Sequence, residues 1–400
     1  MADLSTSSEG PKLTTLGKVF ILLFILACIA GAYYLFAGKK SFQATKDAAS
    51  SVLGGGPPVE IGIAYGTEKQ RWLEWAVGEF SKTPEGRRIK VNLIPMGSLE
   101  GAHAVLAGDQ RIHVWSPASA AYKDVFLEEW QVKYSGNPIV REEPIALTPM
   151  VFVAWDERYK AFIQKYKVMS FETIGEALQA RGGWDEIAHH PEWGLFKFGH
   201  THPNQSNSGL MTIVLAAYSY HHKTKDLTLK DVLDVDFQKW LEKLERGASG
   251  MSNSTGNMMR EMVLKGPSSY DVLYVYESVV IDYLKNAEGR WGSLRVVYPE
   301  YNAWNESPYY IINASWSTPD QRKAADTFLT FLLTEPVQKE SLKHGFRPAN
   351  PNVPIKFPGS PFELYAGSGI QVDLEKICEP PKAEVVNNLL ASWQRSQGNR

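Results

Sequence analysis

The sequence predicts an α/β fold large enough for two lobes, standing behind a single membrane-spanning helix. Three observations carry that prediction. An apolar run of about twenty residues lies near the N-terminus, short apolar strands then alternate with amphipathic helices, and small polar loops recur where a strand gives way to a helix.

Residues 19–38 (VFILLFILACIAGAYYLFAG) carry no charge and are long enough to cross the hydrocarbon of a bilayer as a helix. Lys18 bounds them on one side, Lys39 and Lys40 on the other. A cleaved signal peptide has a shorter apolar core followed by small-residue cleavage chemistry. Ile25-Leu26-Ala27-Cys28 resembles a lipoprotein box only faintly, because the ten residues after Cys28 stay apolar. The reading is therefore a short tail (1–18), an uncleaved anchor (19–38) and a flexible tether (39–58) rich in Ala, Ser, Gly and Pro. Lysines on both sides leave orientation undecided by charge, and the short tail favours export of the large C-terminal part. That makes a single-pass cell-membrane protein with its bulk extracytoplasmic. Cys378 is the only cysteine outside the span, so the folded part has no internal disulfide.

About 340 residues follow the tether, enough for two domains or one bilobal unit. A formal charge of −2 without a basic stripe argues against a nucleic-acid partner. The 12 Trp and 18 Tyr suit either a ligand cleft or ordinary packing.

The exported part opens on residues 59–65 (VEIGIAY), a strand, followed by Gly66-Thr67 and an amphipathic helix with Trp72, Trp75, Ala76 and Phe80 on one side and Thr67 as its N-cap. Residues 88–95 form a second strand, ending in Met96-Gly97-Ser98 and a helix through about Ala107. Residues 112–115 form a third, ending in Ser116-Pro117-Ala118-Ser119 and a helix through about Trp130. This rhythm implies a parallel sheet with right-handed crossovers, which brings the three polar loops to one sheet edge. Residues 143–155 read as a longer extended run leading to a second lobe. There WGLFKFG reads as a buried strand feeding HTHPNQSNSGLM (200–211), whose Ser206, Asn207 and Ser208 are suited to start the helix that follows. Residues 251–258 (MSNSTGNM) are a second polar cap, and YDVLYVY (270–276) is a strand ending at Glu277-Ser278. Extended segments are expected at 295–299 and 308–312, helices after Thr318-Pro319 and from about Pro336, and a last helix over 382–394 with Val385, Leu389, Leu390 and Trp393 on its apolar side.

Helix starts carry unpaired N–H groups and a partial positive charge, so loops of this kind can hold a polar or anionic group. The candidate ligand contacts are Gly66, Thr67, Gly97, Ser98, Ser116 and Ser119 from the first lobe, and Ser206, Asn207, Ser208, Ser254, Thr255 and Tyr276 from the second. Any one of them has helix capping as an equally good explanation. His200 and His202 form an H-x-H pair that can serve a transition metal, yet no H-E-x-x-H motif or cysteine accompanies them, and loop packing explains them better. No nucleophile elbow, phosphate loop or dinucleotide fingerprint is present, so the chain reads as non-enzymatic, with no cofactor. The rival classes are a His-dependent metal receptor or metal hydrolase, and an envelope scaffold that has lost its ligand.

Taken in order, the strand-Gly-Thr-helix start, Met96-Gly97-Ser98, HTHPNQSNSGLM, SNSTGNM, VVYPEYNAWNESPYYII, WSTPDQRKAADTFLTFLL and HGFRPANPNV resemble a type II solute-binding protein of bacterial uptake systems, near the molybdate, sulfate and phosphate binders. The resemblance covers roughly residues 59–394. It implies two α/β lobes joined by two crossover strands and closing over a small solute by hinge motion. The implied layout is a first lobe at 59–147, a second at 148–294, a return to the first at 295–350, and an extension at 351–400 whose helix packs on the lobes. A small polar or anionic solute is the implied ligand, with an ABC-type permease or another envelope protein as partner. Two departures stand out: such receptors are usually free or lipid-anchored rather than held by a helix, and Glu68 and Glu277 beside the loops would repel a dianion unless they point away.

Overall fold

The structure, a computed structural model, describes residues 57–287 and 291–398. The expected span and all but the last two residues of the tether lie outside the described residues. Among the described residues no helix is long and apolar enough to cross a membrane.

In chain order the strands of the two main sheets are β1 (Val59–Tyr65), β2 (Ile89–Pro95), β3 (Val114–Ser116), β4 (Ile139–Pro144), β5 (Met150–Trp155), β6 (Phe198–Gly199), β7 (Val272–Tyr276), β8 (Leu294–Val297) and β9 (Pro308–Ile312). The helices that matter for the site are α1 (Gln70–Phe80), α2 (Ser98–Ala107), α3 (Lys123–Lys133), α4 (Asp156–Tyr166), α5 (Phe171–Gln179), α6 (Asn207–Tyr220), α7 (Val235–Gly247), α8 (Thr255–Lys265), α9 (Glu277–Ala287), α10 (Pro319–Leu332), α11 (Glu335–Lys343) and α12 (Ala383–Gly398).

The first lobe is built on a sheet of order β2-β1-β3-β9-β4. β1 pairs in parallel with β2 and β3, as the strand–helix rhythm predicts, while β9 runs antiparallel to β3 and β4. Side chains of a strand alternate between faces. Ile61, Ile63 and Tyr65 accordingly join Trp72 and Phe80 of α1 and Phe328 and Leu329 of α10 in one core. Ala64 belongs to the other core, with Leu99 and Val105 of α2 and Phe126 of α3.

The second lobe holds a sheet of order β6-β7-β5-β8, with β5 antiparallel to both β7 and β8. Every residue of β5 (MVFVAW) is buried, as befits a strand covered on both faces. The strand expected in WGLFKFG shrinks to Phe198–Gly199, because the Lys197 N–H is taken by the Asp271 carboxylate (2.8 Å) rather than by a ladder. β8 belongs to this second sheet, so the chain leaves the lobe after Val297 rather than at residue 295.

Two segments carry the chain between lobes, 145–149 outward and 298–307 back. The extended run expected over 143–155 is broken here. Thr148 and Asn305 exchange both backbone hydrogen bonds (3.0 and 2.9 Å), which ties the two crossings together. Beside them lies a buried ion pair: Arg347 donates to both carboxylate oxygens of Glu277 (2.9 and 2.7 Å), and the Tyr298 hydroxyl donates to the same group. Arg347 also donates to the Val372 and Gln371 carbonyls, so the C-terminal extension is anchored at the hinge.

The extension ends in α12, which packs on α3 of the first lobe and on α6 and α7 of the second. Val385, Val386, Leu389 and Trp393 are buried, and the Trp393 indole donates to Glu245 (2.6 Å). Glu245 lies 3.2 Å from His200 Nε2, while His200 Nδ1 donates to the Thr201 carbonyl (2.8 Å). Burial opposes a charge on His200, but the Glu245 carboxylate, with the Thr201 carbonyl, outweighs it and raises its pKa above the ordinary 6.5.

Two outcomes follow from these buried charges. Replacing Arg347 by Met leaves Glu277 as an uncompensated buried carboxylate and is expected to cost about 3–5 kcal/mol in denaturant unfolding, with part regained in the Glu277→Gln/Arg347→Met double variant. A raised histidine pKa gives stability that is fully present below the ordinary value of 6.5 and is lost as pH rises through the folded one. The stability difference between the native chain and His200→Gln should therefore shrink as pH is raised above neutral; a constant difference would show that His200 carries no charge in the folded state.

Candidate functional site

The polar loops at the ends of β1, β2, β3 and β7 meet the starts of α6 and α8 between the two lobes. Thr67 does not cap α1. A single 3-10 turn (Thr67–Lys69) intervenes, and the Thr67 hydroxyl instead reaches across to Ser254 of the second lobe (3.3 Å). Ser254 also caps α8, accepting from the Asn257 N–H (3.3 Å). On the other side Ser119 caps the turn Ala120–Tyr122, accepting from Ala121 (3.2 Å), and donates to Asn207 Oδ1 (2.8 Å).

Asn207 opens α6 and is buried. Its amide nitrogen donates to the Tyr276 hydroxyl (3.0 Å) and to Asn305 Oδ1 (3.2 Å) on the returning crossover. Ser206 occupies the N-cap position of α6, but its hydroxyl makes no cap and pairs with Ser208 (3.2 Å). Ser208 continues to Thr201 (2.5 Å) and Thr255 (2.7 Å). Side chains read from the sequence as caps thus form a hydroxyl–amide cluster whose Thr67–Ser254 and Ser119–Asn207 contacts each join one lobe to the other.

The remaining candidates hold the loops rather than enter this cluster. Ser98 accepts from the Ala118 N–H (3.0 Å), and the Gly66 N–H donates to the Ser116 carbonyl (3.2 Å). The Ser116 hydroxyl is fully buried without a hydrogen-bond partner. Gly97 sits at a close approach between the lobes: a Cβ there would lie 2.4 Å from the Gln205 carbonyl oxygen. Only glycine fits that approach.

Sequence reasoning flagged Glu68 beside the loops but missed Lys69 and Glu306. Lys69 is fully buried, with its ammonium on Glu68 (2.5 Å) and on the Pro117 carbonyl (3.1 Å). Burial lowers the Lys69 pKa, and Glu68 works against that shift. Its spacing of three and four residues from Trp72 and Leu73 places it on the buried side of the helical segment, a signal available in the sequence. Glu306 accepts from the Ala120 N–H (3.2 Å), the place a ligand anion would take at that turn. Burial raises the Glu306 pKa. Glu277, suspected of facing the cleft, is turned to Arg347 at the hinge.

Two cavities flank the cluster. One of about 310 Å³ borders Thr67, Glu68 and Ser254 and is rimmed by Arg71, Arg260 and Asp282; Arg71 pairs with Asp282 across the lobes (2.8 Å). The other, of about 290 Å³, borders Ser119 and is walled by Met211, Tyr218, Trp304 and the extension around Cys378. His200 and His202 do not converge on a metal position: His202 packs edge-on against Trp393 (4.6 Å between centroids), and His200 is committed to Thr201 and Glu245. Among the described residues no group of three or more His, Cys, Asp or Glu side chains is placed to hold a metal ion.

Residues 61–347 match the family of bacterial extracellular solute-binding proteins. No curated protein matches the chain. Solved structures with the same architecture include a periplasmic thiamin binding protein (12% identity, TM-score 0.58, covering 85% of this chain and 96% of that one). Iron-bound HitA from Pseudomonas aeruginosa is similar at 14% identity and TM-score 0.55, over 85% of this chain and 99% of its own. The sulfate-binding protein SubI from Mycobacterium tuberculosis H37Rv is similar at 14% identity and TM-score 0.53, over 86% and 99%. At these identities the likeness is one of fold: two α/β lobes of the type II periplasmic binding kind. The chain belongs to the bacterial extracellular solute-binding proteins.

Proposed function

We propose that this protein is a membrane-anchored, extracytoplasmic receptor that closes its two lobes on a small polar solute and serves an ABC-type permease or another envelope partner. The observation that carries the reading is the pair of lobe-to-lobe contacts, Thr67–Ser254 and Ser119–Asn207, at helix starts on both sides of the cleft. Hydroxyls and amides in that arrangement can exchange their contacts with one another for contacts to a bound solute, and the exchange would couple binding to closure. The anchor is the expected helix at residues 19–38.

The electrostatics narrow the solute. Glu68 and Glu306 border the cleft against one buried cation, Lys69, which Glu68 already neutralises. A dianion would meet a site with no cationic surplus, so the favoured ligand is rich in hydrogen-bonding groups and carries at most one negative charge.

Binding to the folded state alone raises thermal stability by mass action, about 2.7 kcal/mol when the ligand stands at a hundred times its dissociation constant. A thermal-shift screen of sugars, polyols, monocarboxylates and oxyanions should yield an upward shift for a polar or monoanionic solute and none for sulfate or molybdate. The absence of any shift at millimolar solute would remove the reading, and a shift confined to dianions would overturn its electrostatic part. With a responding solute in hand, Asn207→Ala should abolish the shift while costing the unliganded protein about 1–3 kcal/mol, the usual range for a lost buried hydrogen-bonding group. Gly97→Val, which clashes only when the lobes meet, should weaken solute affinity at least tenfold in calorimetric titration; unchanged affinity would mean that the Gly97–Gln205 approach is not part of the bound state.

A further inference from the structure

A further cavity, in the second lobe, lies apart from the hydroxyl cluster and shares no lining residue with the two cavities beside it. It encloses about 600 Å³ between α5, α7, the end of α6 and the segment 297–301 that leads into the returning crossover. That volume falls within the range of sites for small organic molecules. Five aromatic side chains line it: Phe171, Tyr220, Trp240, Tyr298 and Tyr301. Tyr220 and Trp240 pack against each other (5.1 Å between centroids) and both remain partly exposed.

The charges around this cavity are unequal. Glu172 and Glu176, one turn apart on α5, are exposed at its wall, as is Glu300, with Lys243 and the titratable His222 as the basic lining residues. Lys376 neutralises Glu300, which leaves two carboxylates against one lysine. The same Lys376 ammonium lies 4.6 Å from the centroid of Tyr301, so one aromatic ring of this wall already holds a cation against its face. Aromatic faces and carboxylates together recognise organic cations, quaternary ammonium groups above all.

The geometry points to a second binding site here, for a small organic cation carrying an aromatic or alkyl body. Its body packs against the partly exposed Trp240 and Tyr220, and its positive charge faces Glu172 and Glu176. The proposal does not rest on what the solute cleft binds.

The test is saturation-transfer NMR on the full-length chain in a non-ionic detergent, with benzyltrimethylammonium as probe and phenylacetate as its anionic counterpart. Transfer is expected to the cation at millimolar concentration, and much less to the anion. Trp240→Ala should weaken binding about tenfold and the Glu172→Gln/Glu176→Gln double variant about threefold, in line with a desolvated cation–π contact and an exposed charge pair. No transfer from the native chain overturns the proposal, as does equal binding of phenylacetate or binding that both variants leave intact. Should Trp240→Ala fail to fold, the exposed carboxylate pair supports no core packing and its variant decides the matter.

Discussion

The side-chain amide of Asn207 is buried between three parts of the chain, and a buried amide must find partners for both its ends. Its oxygen accepts from Ser119 in the first lobe; its nitrogen donates to Tyr276 in the second and to Asn305 on the returning crossover. Asn305 in turn is bonded to Thr148 on the outward crossover. One polar side chain therefore ties the relative position of the lobes to the register of the two crossing segments. The cleft's shape depends on that tie being complete, because each partner left without the amide would be a buried polar group short of a hydrogen bond.

The charges act differently at the two ends of this arrangement. At the hinge, Glu277 and Arg347 are fully paired and enclosed, with Tyr298 and two backbone carbonyls completing their hydrogen bonds. Such a pair holds a fixed point about which lobes can turn. Inside the cleft, Glu68 and Lys69 are paired less completely, and Glu306 sits on a helix-turn N–H without a salt bridge to a basic side chain among the described residues. The hinge charges are structural; those of the cleft, under the proposed function, would set which solute charges the site tolerates.

Much of the architecture was legible because it follows from periodicity. The alternation in residues 59–65, the apolar spacing of α1 and the Thr318-Pro319 start of α10 appear where the pattern puts them. The site was legible only in part. Thr67 and Ser206 read as caps, since a hydroxyl before a helix is usually spent on its N–H groups; here Thr67 reaches across the cleft to Ser254 and Ser206 pairs with Ser208. A one-dimensional pattern cannot show that, because the competing partner lies 187 residues away for Thr67. Asn305 was unreadable for the same reason, with its amide on Thr148, 157 residues earlier. Lys69 was the recoverable miss, for a lysine in phase with Trp72 and Leu73 announces its burial. The carboxylate of Glu277, adjacent to the cleft strand in sequence, is turned away by an arginine seventy positions downstream.

The helix α12 grips α3 on one lobe and α6 and α7 on the other. Parting the lobes would pull it from one of these surfaces and bring some of Val386, Leu389 and Trp393 into water, at a cost on the order of 1.5–3 kcal/mol for each large apolar side chain exposed. Under the proposed function, this grip would bias the receptor toward its shut form. A receptor already shut gives up little affinity to conformational rearrangement. The same bias slows exchange, since both entry and release must wait for a rare opening. For a receptor of the proposed kind, handing the solute on would need a partner that supplies the work of prising α12 loose.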